Sequence, residues 1–355
     1  MTTPHVSVLI DTYNHERFIE EAVQSVLSQD FPASEREILV VDDGSTDRTP
    51  QILAKYASQI RILRKPNGGQ ASAFNHGIPQ CRGELITFLD GDDWWAPNKL
   101  SAVAHAFTAN PSVALVGHSI TEVLQDGARR SELVRDVPRF RIDSVAGART
   151  FRLRKSFLGT SRMAFRAELL RRIGPVPEAL VIEADEFLFT LGALFSEVLL
   201  LRESLTFYRL HGQNLFQISS QDVPSIRRKH AVILALAVAL RRRFTEEGVS
   251  PEIARIIVDA VQTEADVLRL SLGQGSPLDS FRTEFRSYNL SHGHASSVRR
   301  LFKYISLFPA LLLSPRHYNA FKRKLVSNAF YAKAREKFLP LHRPNHVDRT
   351  GDWNV

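Results

Sequence analysis

Short apolar runs alternate with amphipathic stretches over the first two hundred residues. Val6–Ile10 (V-S-V-L-I), Glu37–Val41 (E-I-L-V-V), Arg61–Leu63, Glu84–Leu89 and Val113–Gly117 have the length and β-branched content of buried strands. Between them, His15–Gln29 places Phe18, Ile19, Ala22, Val23, Val26 and Leu27 at helical spacing, with Glu16, Glu20 and Glu21 in its early turns. Thr49–Ala57, Gln70–Gly77 and Pro97–Ala109 also read as helices. Strand and helix alternating in this way predict an α/β fold with a mostly parallel sheet flanked by helices. In such sheets ligands sit beyond the carboxyl ends of the strands.

Residues 119 to 155 are charged and read as a strand pair or loop region, with Arg152, Arg154 and Lys155 available to an anionic acceptor or simply solvated. Gly159–Arg166 predicts a strand, Ala167–Ile173 a helix, and Ile182–Phe195 a helix opening on Glu183, Asp185 and Glu186. Val198–Arg202 and Leu205–Tyr208 are apolar stretches leading to Tyr208-Arg209-Leu210-His211. From residue 216 the pattern turns helical: His230–Phe244, apolar over most of its faces, predicts a buried helix, and Glu252–Leu272 another, before a break at 273–277. The expected organisation is a first domain over 1–215 and a helical C-terminal region over 216–355.

Composition narrows this picture. An apolar content of 44% supports a sizeable core, and the single cysteine, Cys81, excludes an internal disulfide framework and fits a reducing, cytoplasmic compartment. No basic and apolar leader precedes Val6, and no run reaches the ~18–20 apolar residues of a membrane span. The net charge of +8 is concentrated late: 299–337 holds ten Lys or Arg against one acidic residue, Glu336. That basic surface suits anionic lipid or phosphorylated substrates; nucleic acid is not expected, because no binding motif accompanies the charge. The stretch Leu301–Leu313 inside it is too short to span a bilayer. It fits an interfacial helix making peripheral contact with the inner membrane face, or a helix that closes the appendage or a dimer contact.

The chemistry gathers at strand ends. Asp90, Asp92 and Asp93 are three carboxylates within four residues after Glu84–Leu89. Such a cluster repels itself and costs desolvation energy unless a cation accompanies it, and hard oxygen ligands suit Mg²⁺ or Mn²⁺. An Asp-Gly turn followed by a helix start at Pro97 is the plainer reading. Thr12 to Asn14 and Asp42 to Asp47 converge on the same edge, where helix capping is the plain alternative for Asp42 and Asp47.

The motifs V-S-V-L-I-D-T-Y-N, V-V-D-D-G-S-T-D, N-G-G-Q-A-S-A-F-N-H-G-I and G-E-L-I-T-F-L-D-G-D-D-W-W, in this order, resemble the family 2 glycosyltransferases with their nucleotide-sugar-binding GT-A fold, over about residues 5 to 215. The resemblance implies an inverting, metal-dependent transfer from a nucleoside-diphosphate sugar to a glycan or lipid-linked acceptor, in cell-envelope, polysaccharide or glycolipid synthesis. It places Thr12, Tyr13 and Asn14 in the nucleotide pocket, Asp43 backed by Asp42 on the base, and Asn67, Gln70 and Asn75 beside the nucleotide or diphosphate. Asp90 and Asp92 match the family's D-x-D pair, Asp92 as direct metal ligand and Asp90 toward the ribose or a metal-bound water, with Asp93 beside them. His211 would touch the diphosphate or metal, and Asp185, with Glu186 as runner-up, would take the acceptor proton. A nucleotidyltransferase would need a Gly-rich basic loop that Asp11–Asn14 lacks, and a non-catalytic binding module has no need of the acidic residues retained here.

Overall fold

The apolar run from Val6 forms β1 (Val6–Thr12), which continues past Ile10 and so carries Asp11 and Thr12 inside the sheet. The computed structural model describes residues 6–135, 139–211, 222–292 and 297–326. α1 (Ile19–Leu27) buries Ile19, Ala22, Val23 and Val26, one stripe of a 3.6-residue repeat. Then come β2 (Arg36–Asp42), α2 (Thr49–Ala54), β3 (Arg61–Arg64), α3 (Gly69–Gly77), β4 (Leu85–Asp90), the short β5 (Trp94–Trp95) and α4 (Lys99–Ala109).

β6 (Val113–Val123) runs further than the sequence pattern indicates and pairs antiparallel with β7 (Arg129–Glu132). After β8 (Arg139–Phe140), residues 145–154 form a helix, α5 (Val145–Arg154), where a strand pair or loop was expected. Ser144 caps it, accepting the Gly147 N–H at 3.0 Å, and Ala148 and Phe151 are its buried contacts. The strand expected over 159–166 shrinks to β9 (Ala164–Arg166), since Thr160–Arg162 is a 3₁₀ turn. α6 (Ala167–Ile173) and α7 (Ala184–Phe195) follow, and the two apolar stretches after them join into one long strand, β10 (Glu197–Arg209), interrupted by register shifts around Ser204.

The strands form a single sheet in the order β3-β2-β1-β4-β9-β6-β10-β5, with β7 on β6 and β8 on β10. β3, β2, β1 and β4 are mutually parallel; β9 then enters antiparallel between β4 and β6, and β6 and β10 are again parallel. One face of the parallel half packs Val8, Ile10 and Val40 with Ile19, Val23 and Leu100. Phe88 has edge contacts with Phe74 at 5.1 Å and Phe165 at 5.9 Å. The α/β architecture flanked by helices is the one the alternation predicts, but the antiparallel β5, β7, β8 and β9 make the sheet mixed.

The described residues fall into two compact units, within 1–215 and 216–345. The second is helical: α8 (Val223–Glu246), α9 (Pro251–Ser271), α10 (Pro277–His292), α11 (Ser297–Ser306), α12 (Phe308–Leu312) and α13 (Pro315–Val326). α8 buries Val232, Ile233, Leu236, Ala237 and Leu240, but Leu234 and Val238 stay exposed, so it is covered on one side and not all round as expected. No described helix is long and apolar enough to cross a membrane.

Candidate active site

Parallel pairing brings the three polar loops to one edge. β1 aligns Thr12 with Asp42 on one side and Asp11 with Asp90 on the other. The first two loops are then stitched together. Asn14, held at φ +57°, accepts the Thr46 N–H at 2.8 Å and donates its own N–H to Ser45 Oγ at 2.9 Å. A left-handed conformation in a non-glycine residue costs energy that these bonds must over-determine. The Thr12 carbonyl accepts the Asp43 N–H at 2.9 Å, and Tyr13 projects outward beside it.

Asp42 serves the turn: Oδ1 accepts the Ser45 N–H at 2.8 Å and Arg64 Nε lies 3.4 Å from Oδ2. Asp47 likewise serves the loop, accepting the N–H groups of Thr49 at 2.9 Å and Glu16 at 3.0 Å. Asp43 is buried and gathers the loop carrying exposed Asn67, accepting from Lys65 Nζ at 2.6 Å, Gly69 N–H at 2.7 Å and Gly68 N–H at 3.1 Å. Gln70 donates to Thr160 Oγ1 at 3.0 Å and accepts the Ala184 N–H at 3.0 Å, tying α3 to the start of α7. Asn75 departs from the expectation of a nucleotide contact. Its amide is engaged by both backbone groups of Val176, at 2.7 and 2.8 Å, because a side-chain amide matches a backbone amide two bonds at a time.

The β4 terminus holds the densest charge. Gly91 lies so close to the first loop that a Cβ there would stand 2.6 Å from Thr12 Oγ1 and 2.8 Å from His15 Nδ1. Asp92 Oδ2 is 2.9 Å from His211 Nε2 and 4.0 Å from His15 Nε2. Burial raises the Asp92 carboxyl, but the His211 hydrogen bond and the two imidazoles outweigh it and hold the group below its ordinary range. Asp90 turns instead to Ser161, whose Oγ donates to Oδ2 at 3.4 Å and accepts the Asp90 N–H at 3.1 Å. Burial, then Asp11 and Asp92, push Asp90 well above the usual carboxylate value. Asp93 faces the protein: Oδ1 accepts the Arg209 N–H at 2.9 Å, a structural bond rather than the substrate contact expected. Its buried carboxyl is also raised, by desolvation and by Asp92.

Two neighbours of this cluster, Asp11 and His15, receive no role from the sequence motifs. Asp11 is half-buried, its Oδ1 has no hydrogen-bond partner among the described residues, and desolvation followed by the Asp92 charge pushes its carboxyl up to about 8. His15 meets Thr12 Oγ1 at 3.2 Å, and burial lowers its pKa. The strand pairing that places Asp11 opposite Asp90 is the signal that would have found the first; a histidine one turn after Thr12 is a weaker signal for the second.

α7 points its first turn at the same edge. Asp185 Oδ2 accepts the Thr160 N–H at 3.2 Å and Oγ1–H at 3.3 Å, while Oδ1 accepts the Glu186 N–H at 2.8 Å. Burial and the Glu186 charge raise it to about 6, and its own field reaches Asp11 and Asp90. Glu186 is tied to Lys155 Nζ at 2.5 Å. A desolvated carboxylate that still ionises near neutrality is a competent proton acceptor; one locked in an ion pair is less free to act.

The donor set suits a divalent ion that borrows ligands from a substrate. Among the described residues, no three His, Cys, Asp or Glu side chains form a ready metal cage, and Asp90 does not join Asp92 and His211 as a third ligand. Mg²⁺ and Mn²⁺ need no such cage when phosphate oxygens and water complete the shell. Asp92 and His211 therefore fit the ion, and the partnerless Asp11 oxygen and the raised Asp90 mark a local excess of negative charge that a cation would relieve.

Comparison with known proteins reaches the same region. The pattern of Glycosyl transferase family 2 matches residues 7–174. An uncharacterized glycosyltransferase of Nostoc sp. is 32% identical over 223 residues, covering 59% of this chain and 66% of the relative, so the chain spans just under two thirds of that relative's length. The crystal structure of Staphylococcus aureus TarS 1–349 in complex with UDP-GlcNAc superposes with a TM-score of 0.52 at 21% identity, over 86% of this chain and 90% of that one. The mannosyltransferase PcManGT from Pyrobaculum calidifontis, in complex with GDP-Man and Mn²⁺, gives 0.53 at 19% identity, over 96% and 86%. At these identities the two structures show a shared fold.

Proposed function

The chain belongs to glycosyl transferase family 2 through residues 7–174, and on that premise we propose that it moves a sugar from a nucleoside-diphosphate donor to an acceptor hydroxyl with inversion at the anomeric carbon. The observation that carries the reading is convergence: Thr160 donates to Asp185 of α7 and the next residue, Ser161, donates to Asp90 at the end of β4, which pairs with Asp11 at the end of β1. A proton acceptor thus stands at the edge where a diphosphate-binding ion fits.

In this reading Tyr13, Asn14, Asp43 and Asn67 border the nucleoside, and Asp92 and His211 would hold Mg²⁺ or Mn²⁺. The ion, when bound, offsets the charge that accumulates on the departing diphosphate. Asp90, fixed by Ser161, faces the donor's ribose side. Thr160 donates twice to Asp185 Oδ2 and orients that carboxylate; Asp185 then accepts the acceptor hydroxyl's proton as the oxygen attacks, a step worth ~10²–10⁴-fold. One displacement by a group on the far side of the leaving diphosphate inverts the anomeric centre.

UDP- and GDP-sugars are the donors to try, since the structural neighbours were solved with UDP-GlcNAc and GDP-Man. A glycan or lipid-linked acceptor of the cell envelope fits the basic second unit. The test is release of nucleoside diphosphate from a panel of such donors with Mn²⁺, with and without glycan and glycolipid acceptors. No release and no donor binding across the panel would overturn the proposal.

A further inference from the structure

α11 and α12 are apolar on two opposite sides. Inward, Leu307 and Ala310 are buried, and Tyr304 packs on Phe285 at 4.7 Å and donates its hydroxyl to Asn289 Oδ1 at 2.8 Å. Outward, Leu301 is 60% exposed, Ile305 65%, Phe308 59% and Leu312 68%. Their steps of four, three and four residues trace one helical stripe. Leu307 keeps a right-handed backbone (φ −86°, ψ −8°), so the stripe continues across the boundary between the two helices. A helix on the surface of a soluble unit normally turns polar residues outward. This one presents a ridge of four large apolar side chains.

Along the sequence that carries the ridge the charge is one-sided. Residues 285 to 335 contain ten Lys or Arg and no Asp or Glu. The acidic residue just before them, Glu284, lies between Lys322 at 2.7 Å and Lys303 at 3.8 Å. Arg316, at the start of α13, is exposed. Two copies meeting through this face would press two strongly positive segments together, and a polyanion such as nucleic acid has no use for the apolar ridge.

We propose that this ridge docks the chain on an anionic lipid bilayer, with Leu301, Ile305, Phe308 and Leu312 entering the acyl boundary and the basic side chains meeting headgroup phosphates. Each signal alone gives marginal binding; an apolar insertion combined with a basic surface gives stable, reversible attachment. The docking does not depend on the sugar-transfer reading, because it rests on the second unit alone.

The test is sedimentation of the full chain with vesicles of phosphatidylcholine alone or mixed with phosphatidylglycerol. The wild type is expected to sediment with the mixed vesicles, to stay in solution with phosphatidylcholine, and to be released by salt. I305E/F308E, altered only at exposed positions, should bind the mixed vesicles at least about tenfold more weakly while still binding nucleoside diphosphate. In a separate F308W variant, the emission of the added indole should shift to the blue with mixed vesicles. Wild type that stays in solution with mixed vesicles, equal sedimentation of I305E/F308E, or an unshifted F308W spectrum would each overturn the proposal. So would a wild-type dimer that I305E/F308E dissociates, which would assign the ridge to a second copy. Nucleoside-diphosphate release is read separately, so inactive protein that still sediments leaves the docking intact.

Discussion

His211 Nε2 stands 2.9 Å from Asp92 Oδ2, and Arg209, two residues before it, bonds the backbone of the same aspartate. The Arg209 guanidinium lies 4.8 Å from the Phe18 ring and 4.4 Å from the Trp94 ring, donates from Nε to the Asp92 carbonyl at 2.9 Å, and pairs with Glu21 at 2.5 Å. Phe18 also packs on His211 at 4.8 Å. Lysine offers neither the flat stacking surface nor the fork. R209K should weaken Mn²⁺-dependent nucleoside-diphosphate binding by about 10–100-fold, the usual effect of disturbing a residue that orients a ligand. Calorimetric titration checks this; unchanged affinity would remove Arg209 from the positioning role.

Asp185 should impose its own titration on the rate. A base works only when ionised, and burial and Glu186 raise this carboxyl to about 6. Transfer should therefore be fully developed above that pH and fall as pH drops through about 6. D185N should reduce turnover by ~10²–10⁴-fold and leave donor affinity unchanged. E186Q removes the nearby charge that helps raise Asp185, so its acid limb should move to lower pH. If E186Q abolishes turnover and D185N does not, the base is Glu186.

Gly91 should be irreplaceable for a steric reason. A Cβ would meet Thr12 Oγ1 at 2.6 Å and His15 Nδ1 at 2.8 Å, and Thr12 is itself buried. G91A should cost about 1–3 kcal/mol in urea unfolding, the range for overpacking, and should weaken donor binding because the first and third loops move apart. Full retention of both would show that the loops yield freely.

Much of the fold was legible because the parallel half of the sheet is built from short, continuous apolar runs: β1, β2, β3 and β4 all lie where the runs lie. The site was legible only in part. Carboxylates at strand ends advertise themselves, but what each one bonds is decided by partners far along the chain. Asp93 is claimed by the Arg209 N–H, 116 residues away, and Asn75 by Val176, 101 residues away. Asp11 escaped notice because it continues an apolar strand, and only its register with Asp90 makes it part of the cluster. α5 was hidden because a charged segment with two buried contacts has no periodic stripe to read. The turn at Thr160 and Ser161 is shaped by hydrogen bonds to Asp185 and Asp90, information that local β-propensity does not contain.

The central claim is that Asp92 and His211 hold a divalent ion against the donor's diphosphate. Calorimetric titration of UDP and GDP into the full chain, with Mn²⁺ and with EDTA, tests it directly. The account predicts binding of at least one of the two that requires Mn²⁺ and disappears in D92A. Equal binding in EDTA, or a D92A chain that binds as the wild type does, would contradict it.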